Sequence, residues 1–106
     1  MRYRILGPAR REYLGVVRWY RDEVGDSELA HDFILNFRRR LERVRLLPHA
    51  GALVTGLDVP FDLRRVRLHR FPFHIFFAAR DEEIVVVAIA HERRRPDYWA
   101  DRIKDV

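Results

Sequence analysis

The chain contains no cysteine, and Lys104 is the only lysine among its 21 basic residues. Without cysteine it can form no disulfide, no zinc site built on thiolates and no thiol nucleophile. No apolar run approaches the roughly 18 residues of a membrane span, and the N-terminal residues lack the apolar stretch of a signal peptide. These absences predict a cytoplasmic protein, and its length predicts one domain over residues 1–106.

Arginine supplies almost all of the positive charge. The apolar fraction of 48% excludes a disordered chain. A net charge of +5 and a pI near 10.4 predict an acidic or polyanionic partner. Arginine suits bidentate binding of phosphate and carboxylate groups better than lysine does. Codon bias in a GC-rich genome would give the same ratio of arginine to lysine, so the net charge is the better evidence.

The first half of the chain has the hydrophobic pattern of one strand and two helices. Residues 2–6 alternate apolar with charged side chains, which is typical of a strand. Apolar residues recur at helical spacing over 9–24 and again over 30–44. Asp26 or Ser27 can cap the second helix. So short a connection predicts an antiparallel helical hairpin.

The second half changes to the pattern of strands. Residues 48–62 show no sustained period and predict a loop. Strands are predicted over 63–70, 73–79 and 84–91, and the last is central because it is apolar on both faces. Residues 96–102 predict a short terminal helix. The order β-α-α-β-β-β-α predicts an α+β fold with an N-terminal strand, a helical hairpin, a three-stranded antiparallel meander and a short C-terminal helix.

A basic stripe is the first candidate site. Arg65, Arg67 and His69 would share one face of a strand whose other face is covered by helices. Such a track suits phosphates or acidic side chains. The alternative is that these residues only solvate the outer face of an antiparallel sheet. We interpret His74 as structural unless it faces this track.

The C-terminal segment is the second candidate site. His91 ends the most apolar strand beside several arginines, among them Arg94, and Tyr98 follows in the terminal helix. A histidine and a tyrosine near cations can perform acid–base chemistry at a phosphodiester. The alternative is structural: His91 caps the strand, while Tyr98 and Trp99 pack the last helix on the sheet. No histidine spacing indicates a metal and no glycine pattern a phosphate loop, so we expect neither metal nor cofactor.

Four short segments of the second half occur in a recognisable order: Leu63–Arg65, Arg70–Phe73, Ala88–His91 and Arg94–Trp99. Leu47–Gly51 adds a Leu-Pro-x-x-Gly element. Together they resemble the ParE/RelE superfamily of toxins, most closely its ParE-like or plasmid-stabilisation branch. The resemblance implies the toxin of a bacterial type II toxin–antitoxin system, which inhibits growth by binding DNA gyrase. It also implies a cognate antitoxin that neutralises the toxin in a hetero-oligomer.

The resemblance leaves two further functions open, and with them whether the chain is an enzyme. RelE-like members cut messenger RNA on the ribosome, and they use basic residues, a histidine or acid, and a tyrosine. A non-toxic homologue would act as a binding module. Two sets of residues follow, one for the nuclease and one for binding a target or antitoxin. The nuclease set is Arg65, Arg67, His91, Arg94 and Tyr98, and the binding set is Arg64, Arg65, Arg67, His69, Arg93, Arg95 and Trp99.

This chain departs from the nuclease pattern at two points. It has no catalytic lysine, and His74 stands at the strand position where several nuclease members place an arginine. Both departures weaken the transfer of a catalytic role, and they favour the ParE-like branch.

Overall fold

Five strands form one mixed sheet in the computed structural model, which describes all of residues 1–106. They are β1 (Arg2–Ile5), β2 (Ala52–Leu53), β3 (Asp62–Arg67), β4 (Phe73–Arg80) and β5 (Glu83–His91). Their order across the sheet is β1-β5-β4-β3-β2, with β1 parallel to β5 and the other neighbours antiparallel. The predicted α+β class is confirmed, and the predicted meander is β3-β4-β5.

The two predicted helices form the expected hairpin. Helix α1 (Gly7–Arg18) continues as a π-helical turn over Trp19–Glu23, and α2 spans Ser27–Leu46. Asp26 provides the predicted cap, because its carboxylate accepts a hydrogen bond from the Leu29 amide at 3.0 Å. No helix of this fold has both the length and the apolar composition needed to cross a bilayer.

The helices cover one side of the sheet, which we call the helix face. Phe33 of α2 is fully buried, and its ring lies 5.4 Å from that of Phe71 and 5.7 Å from that of Phe73. Tyr13 of α1 packs on Phe37 with ring centroids 4.6 Å apart. Aromatic pairs therefore join α1 to α2, and α2 to the C-terminal half of the chain.

The opposite side of the sheet, the second face, is covered as well. Trp99 is only 1% exposed, and its ring lies 4.6 Å from the ring of Phe76 on β4. It packs in a cluster with Leu63 and Val85, which the partly buried Val59 also contacts. Arg65 and Arg67 of the predicted stripe are exposed, but the middle of the second face is buried. Burial on both faces explains why β5 is apolar along its length.

Three predicted boundaries differ from the structure. The predicted loop contains a 3₁₀ turn (Pro48–Ala50) and the two-residue strand β2. Strand β3 ends at Arg67, so His69 lies in a bend beyond the strand. The terminal helix is a 3₁₀ helix over Ala100–Asp105 rather than over 96–102.

Backbone geometry and pairing explain these differences. Asp97 has φ of 60° and Arg70 has φ of 71°, a left-handed conformation that interrupts a helix or strand. Arg70 therefore cannot extend β3, and Asp97 cannot belong to the terminal helix. Side-chain periodicity does not predict either boundary. Strand β2 has only two residues, and it exists because Ala52 and Leu53 pair with β3.

Gly51 allows the segment before β2 to approach β3 and β4, and we predict that G51A destabilises the fold. A Cβ atom there would lie 3.1 Å from the Arg65 carbonyl oxygen and 3.1 Å from the Phe77 ring. Overpacking of this kind costs about 1–3 kcal/mol in the free energy of unfolding. G15A is the control, because a Cβ at Gly15 in α1 meets nothing within 4 Å, and alanine stabilises a helix by about 0.5–1 kcal/mol over glycine. Urea denaturation that shows equal stabilities for the two variants would contradict the prediction.

Candidate functional site

A cleft of about 260 Å³ opens on the second face of the sheet. The edge segment Leu53–Thr55 forms one wall, and the segment that follows β5 forms another. Arg65 and His74 line it from strands β3 and β4. The structure thus brings part of the predicted basic stripe and part of the predicted C-terminal site to one place.

His74 faces the basic stripe. It stands opposite Arg67 in the β3–β4 ladder, two residues before Phe76, which stands opposite Arg65. Burial lowers the pKa of His74, and the positive charges of Arg65 and Arg67 lower it further against the opposing effect of Glu92. Its buried Nδ1 has no hydrogen-bond partner. The cleft therefore contains an uncharged imidazole at neutral pH. Its position on the basic stripe meets the condition under which our sequence interpretation allowed His74 more than a structural role.

Glu12 of α1 is the residue that sequence reasoning missed. Its side chain is 14% exposed, and it accepts hydrogen bonds from the Ile89 amide at 3.1 Å and from Arg102 Nη1 at 2.8 Å. It also accepts one from the hydroxyl of Tyr98. The available signal was its spacing, three residues after Ala9 and four before Val16, which places a carboxylate on the apolar stripe of α1.

Tyr98 is held by its surroundings rather than free to react. Its hydroxyl donates to Glu12, and the Arg94 guanidinium lies 3.8 Å from the ring centroid. Arg102 lies 5.3 Å from the same ring. Burial raises the pKa of Tyr98, and the hydrogen bond to Glu12 and the charge of that carboxylate raise it further. The phenol is therefore a poor proton donor or acceptor near neutral pH.

His91 borders the same cleft as Arg65 and His74, but its ring packs toward the helix face. Its Nδ1 accepts a hydrogen bond from the Arg93 amide at 3.0 Å, and its ring packs edge-on against Phe73 at 5.2 Å. Phe73 belongs to the helix face, whereas Arg65 and His74 line the cleft on the second face. His91 borders that cleft, but it also borders an apolar depression beside α1. The strand-capping interpretation describes His91 better than the acid–base one.

Some predicted binding residues have internal roles instead. Arg64 donates to the Asp62 carboxylate at 3.0 Å and to the Gly51 carbonyl at 2.7 Å, so it fastens β3 to the segment before β2. Trp99 of the predicted binding set is buried, packs on Phe76 and lines the cleft. Arg67 is exposed but pairs with Glu92 at 3.3 Å.

The remaining cations of the predicted binding set are exposed. Arg65, Arg93 and Arg95 have no side-chain hydrogen bond or ion pair, and His69 lies outside the β3 strand. No group of three or more histidine, aspartate or glutamate side chains is placed to hold a metal ion. The arrangement can bind anionic groups. His91 and Tyr98 both line the cleft, but His91 Nδ1 is bonded to the Arg93 amide and the Tyr98 hydroxyl to Glu12.

Residues 3–96 match the family model described as "ParE toxin of type II toxin-antitoxin system, parDE". The chain belongs to this family. A solved structure titled "Chromosomal ParDE TA system from P. aeruginosa" contains a chain of the same fold, with a TM-score of 0.69 and 21% sequence identity over 86% of this chain and 95% of that one. A search of curated proteins finds no match. Membership of the ParE family makes the chain a type II toxin and implies an antitoxin partner.

We predict that E12Q destabilises the ParE-family fold by about 1–3 kcal/mol. Glutamine keeps the size of the side chain, but it removes the charge that balances Arg102 and turns an amide toward it. E23Q is the matched control, because Glu23 is exposed and has no side-chain partner, and its effect should stay within about 0.5 kcal/mol. Urea denaturation measures both values, and equal losses would show that Glu12 is not a structural centre.

We also predict that the His74 pKa lies below its ordinary value of 6.5 and that R65A raises it. The variant removes a nearby positive charge and admits more water, and both changes favour the imidazolium. Proton NMR titration of the histidine ring resonances measures the change. R39A removes an equal charge from the exposed face of α2, so a comparable shift of His74 in that variant would contradict the assignment.

Proposed function

We propose that this ParE-family toxin inhibits growth by binding DNA gyrase and that a cognate antitoxin neutralises it. The observation that carries the proposal is that the two acid–base candidates, Tyr98 and His91, make contacts within the fold. Tyr98 is bonded to Glu12, and the ring of His91 packs on Phe73 of the helix face. Both side chains serve the fold, which supports a toxin that acts by binding rather than by cleavage.

The exposed arginines support a protein target with an acidic surface. Arg65, Arg93 and Arg95 carry charges that no internal carboxylate neutralises. An acidic partner surface would be attracted by the net charge of +5 and oriented by these exposed guanidinium groups. The antitoxin would compete for part of the same surface, which explains how its binding blocks toxicity.

A ribosome-dependent mRNA endonuclease is the second candidate, and His74 is the observation that favours it. An uncharged imidazole that lines the cleft beside Arg65 is suited to accept a proton near a phosphodiester. Arg65 would stabilise the negative charge that develops on the phosphate. In this alternative His74 replaces His91 as the base, and the partners are the ribosome and mRNA.

We predict that the purified full-length protein inhibits supercoiling of relaxed plasmid DNA by gyrase. The double variant R93A/R95A should require at least about threefold more protein for the same inhibition, because each exposed ion pair contributes up to about 1 kcal/mol. R39A is the matched control for loss of charge, and it should inhibit like the unsubstituted protein.

Primer extension on a defined message in a reconstituted translation reaction separates the alternatives. Cuts that require ribosomes, together with unaffected gyrase, would overturn the proposal in favour of the nuclease. Cuts that disappear in H74A but persist in Y98F would then identify His74 as the base. Inactivity in both assays, from a protein that circular dichroism shows to be folded, would indicate a non-toxic binding module.

A further inference from the structure

The cleft on the second face contains cations that the fold does not use. Arg65 and Arg95 line it without any internal ion pair or side-chain hydrogen bond. The neighbouring charges are already paired, because Arg67 pairs with Glu92 and Arg94 pairs with Glu12 at 3.8 Å. Two free guanidinium groups at one opening are suited to a carboxylate or a phosphate.

The aromatic rings of the cleft are not available for stacking on a base. Phe76 packs on Trp99 with ring centroids 4.6 Å apart, and Trp99 is buried. One face of Tyr98 is occupied by Arg94 at 3.8 Å. Single-stranded nucleic acids are held by free aromatic faces together with a track of several cations. The rings of this cleft are already engaged by other side chains, so its chemistry favours a carboxylate on a protein segment.

The edge of the sheet beside the cleft offers main-chain hydrogen bonds. Strand β2 is the last strand of the sheet, and Val54 donates to the Leu63 carbonyl at 2.9 Å. Because bonding alternates along an antiparallel strand, the N–H and C=O of Leu53 point away from β3. Leu53 is 58% exposed and lines the cleft. An extended peptide can therefore pair with β2 at the rim of the cleft.

The geometry places this edge and the free cations within reach of one ligand. Ala52 stands directly opposite Arg65 in the β2–β3 pair. A strand added outside β2 would lie about 10 Å from β3. An arginine and a glutamate side chain that extend toward each other can span that gap above the second face.

We propose that the cleft and the edge of β2 bind an extended acidic segment of a partner protein. The segment pairs its main chain with Leu53 and directs a carboxylate to Arg65 and Arg95. The inference rests on the proposed function in one respect, since the antitoxin is the partner expected to supply the segment. It assigns Leu53, Arg65 and Arg95 to the same interface.

The experiment titrates the full-length ¹⁵N-labelled protein with a blocked hexapeptide of alternating valine and glutamate. Three matched ligands are the glutamine counterpart, the same acidic peptide with N-methyl groups on the pairing edge, and hexauridylate. We expect NMR shifts at the amides of Leu53 and Thr55 and at the Arg65 Nε–H. The acidic peptide should bind at least about fivefold more tightly than either altered peptide, because each change removes interactions worth about 1 kcal/mol or more.

Variants test the location of the carboxylate. R65A should weaken binding of the acidic peptide at least about threefold, whereas R39A, with the same loss of charge, should change it less than twofold. The amide spectrum in the same titration shows whether each variant is folded. L53A, which keeps the backbone amide, should retain the shifts at the β2 edge.

Several outcomes would overturn the inference. These are equal binding of the glutamate and glutamine peptides, shifts confined to other surfaces, equal effects of R65A and R39A, or tighter binding of hexauridylate at the cleft. The last result would identify a nucleic-acid surface instead. The titration contains no gyrase, so a negative supercoiling assay would refute the proposed target and leave this interface standing.

Discussion

Glu12 connects the helical layer to the C-terminal half of the chain through one carboxylate. It accepts hydrogen bonds from the β5 backbone at Ile89 and from two residues of the C-terminal segment, Tyr98 and Arg102. Arg102 also donates to the Val87 carbonyl at 3.1 Å. A charge that is 14% exposed requires such partners, because burying it without them would cost several kcal/mol. The position of the segment that carries Trp99 thus depends on this contact.

Strand β5 is apolar on both faces, and the rest of the architecture buries both of them. The helical hairpin buries one face with aromatic side chains, and Trp99 buries the other with help from the segment before β3. The C-terminal segment therefore completes the core in addition to forming a wall of the cleft. The cleft lies next to the part of the second face that the C-terminal segment covers, beside Arg65 and strand β2.

Several residues of the motifs that carry the family resemblance stabilise the fold, so these motifs indicate a shared fold and not only a shared activity. Arg64, His91, Tyr98 and Trp99 all belong to those motifs, and each has an internal contact that explains its presence. Their roles clarify why one superfamily can hold toxins with different targets. The fold leaves other residues of the same motifs unpaired, such as Arg65 and Arg95, and these are the ones that we propose for partner binding.

The sequence by itself determined the α+β class, the helical hairpin with its Asp26 cap, the meander and the ParE-family resemblance. These features rest on local periodicity, capping chemistry and motif order, all of which are properties of neighbouring residues. Only the tertiary structure decided that Trp99 is buried, that His91 and His74 lie toward opposite faces, and that Glu12 holds Tyr98. The physical reason is that these facts depend on contacts between residues far apart in the chain. Arg70 and Asp97 adopt left-handed backbone conformations that change the direction of the chain. The periodicity of the sequence does not predict these conformations.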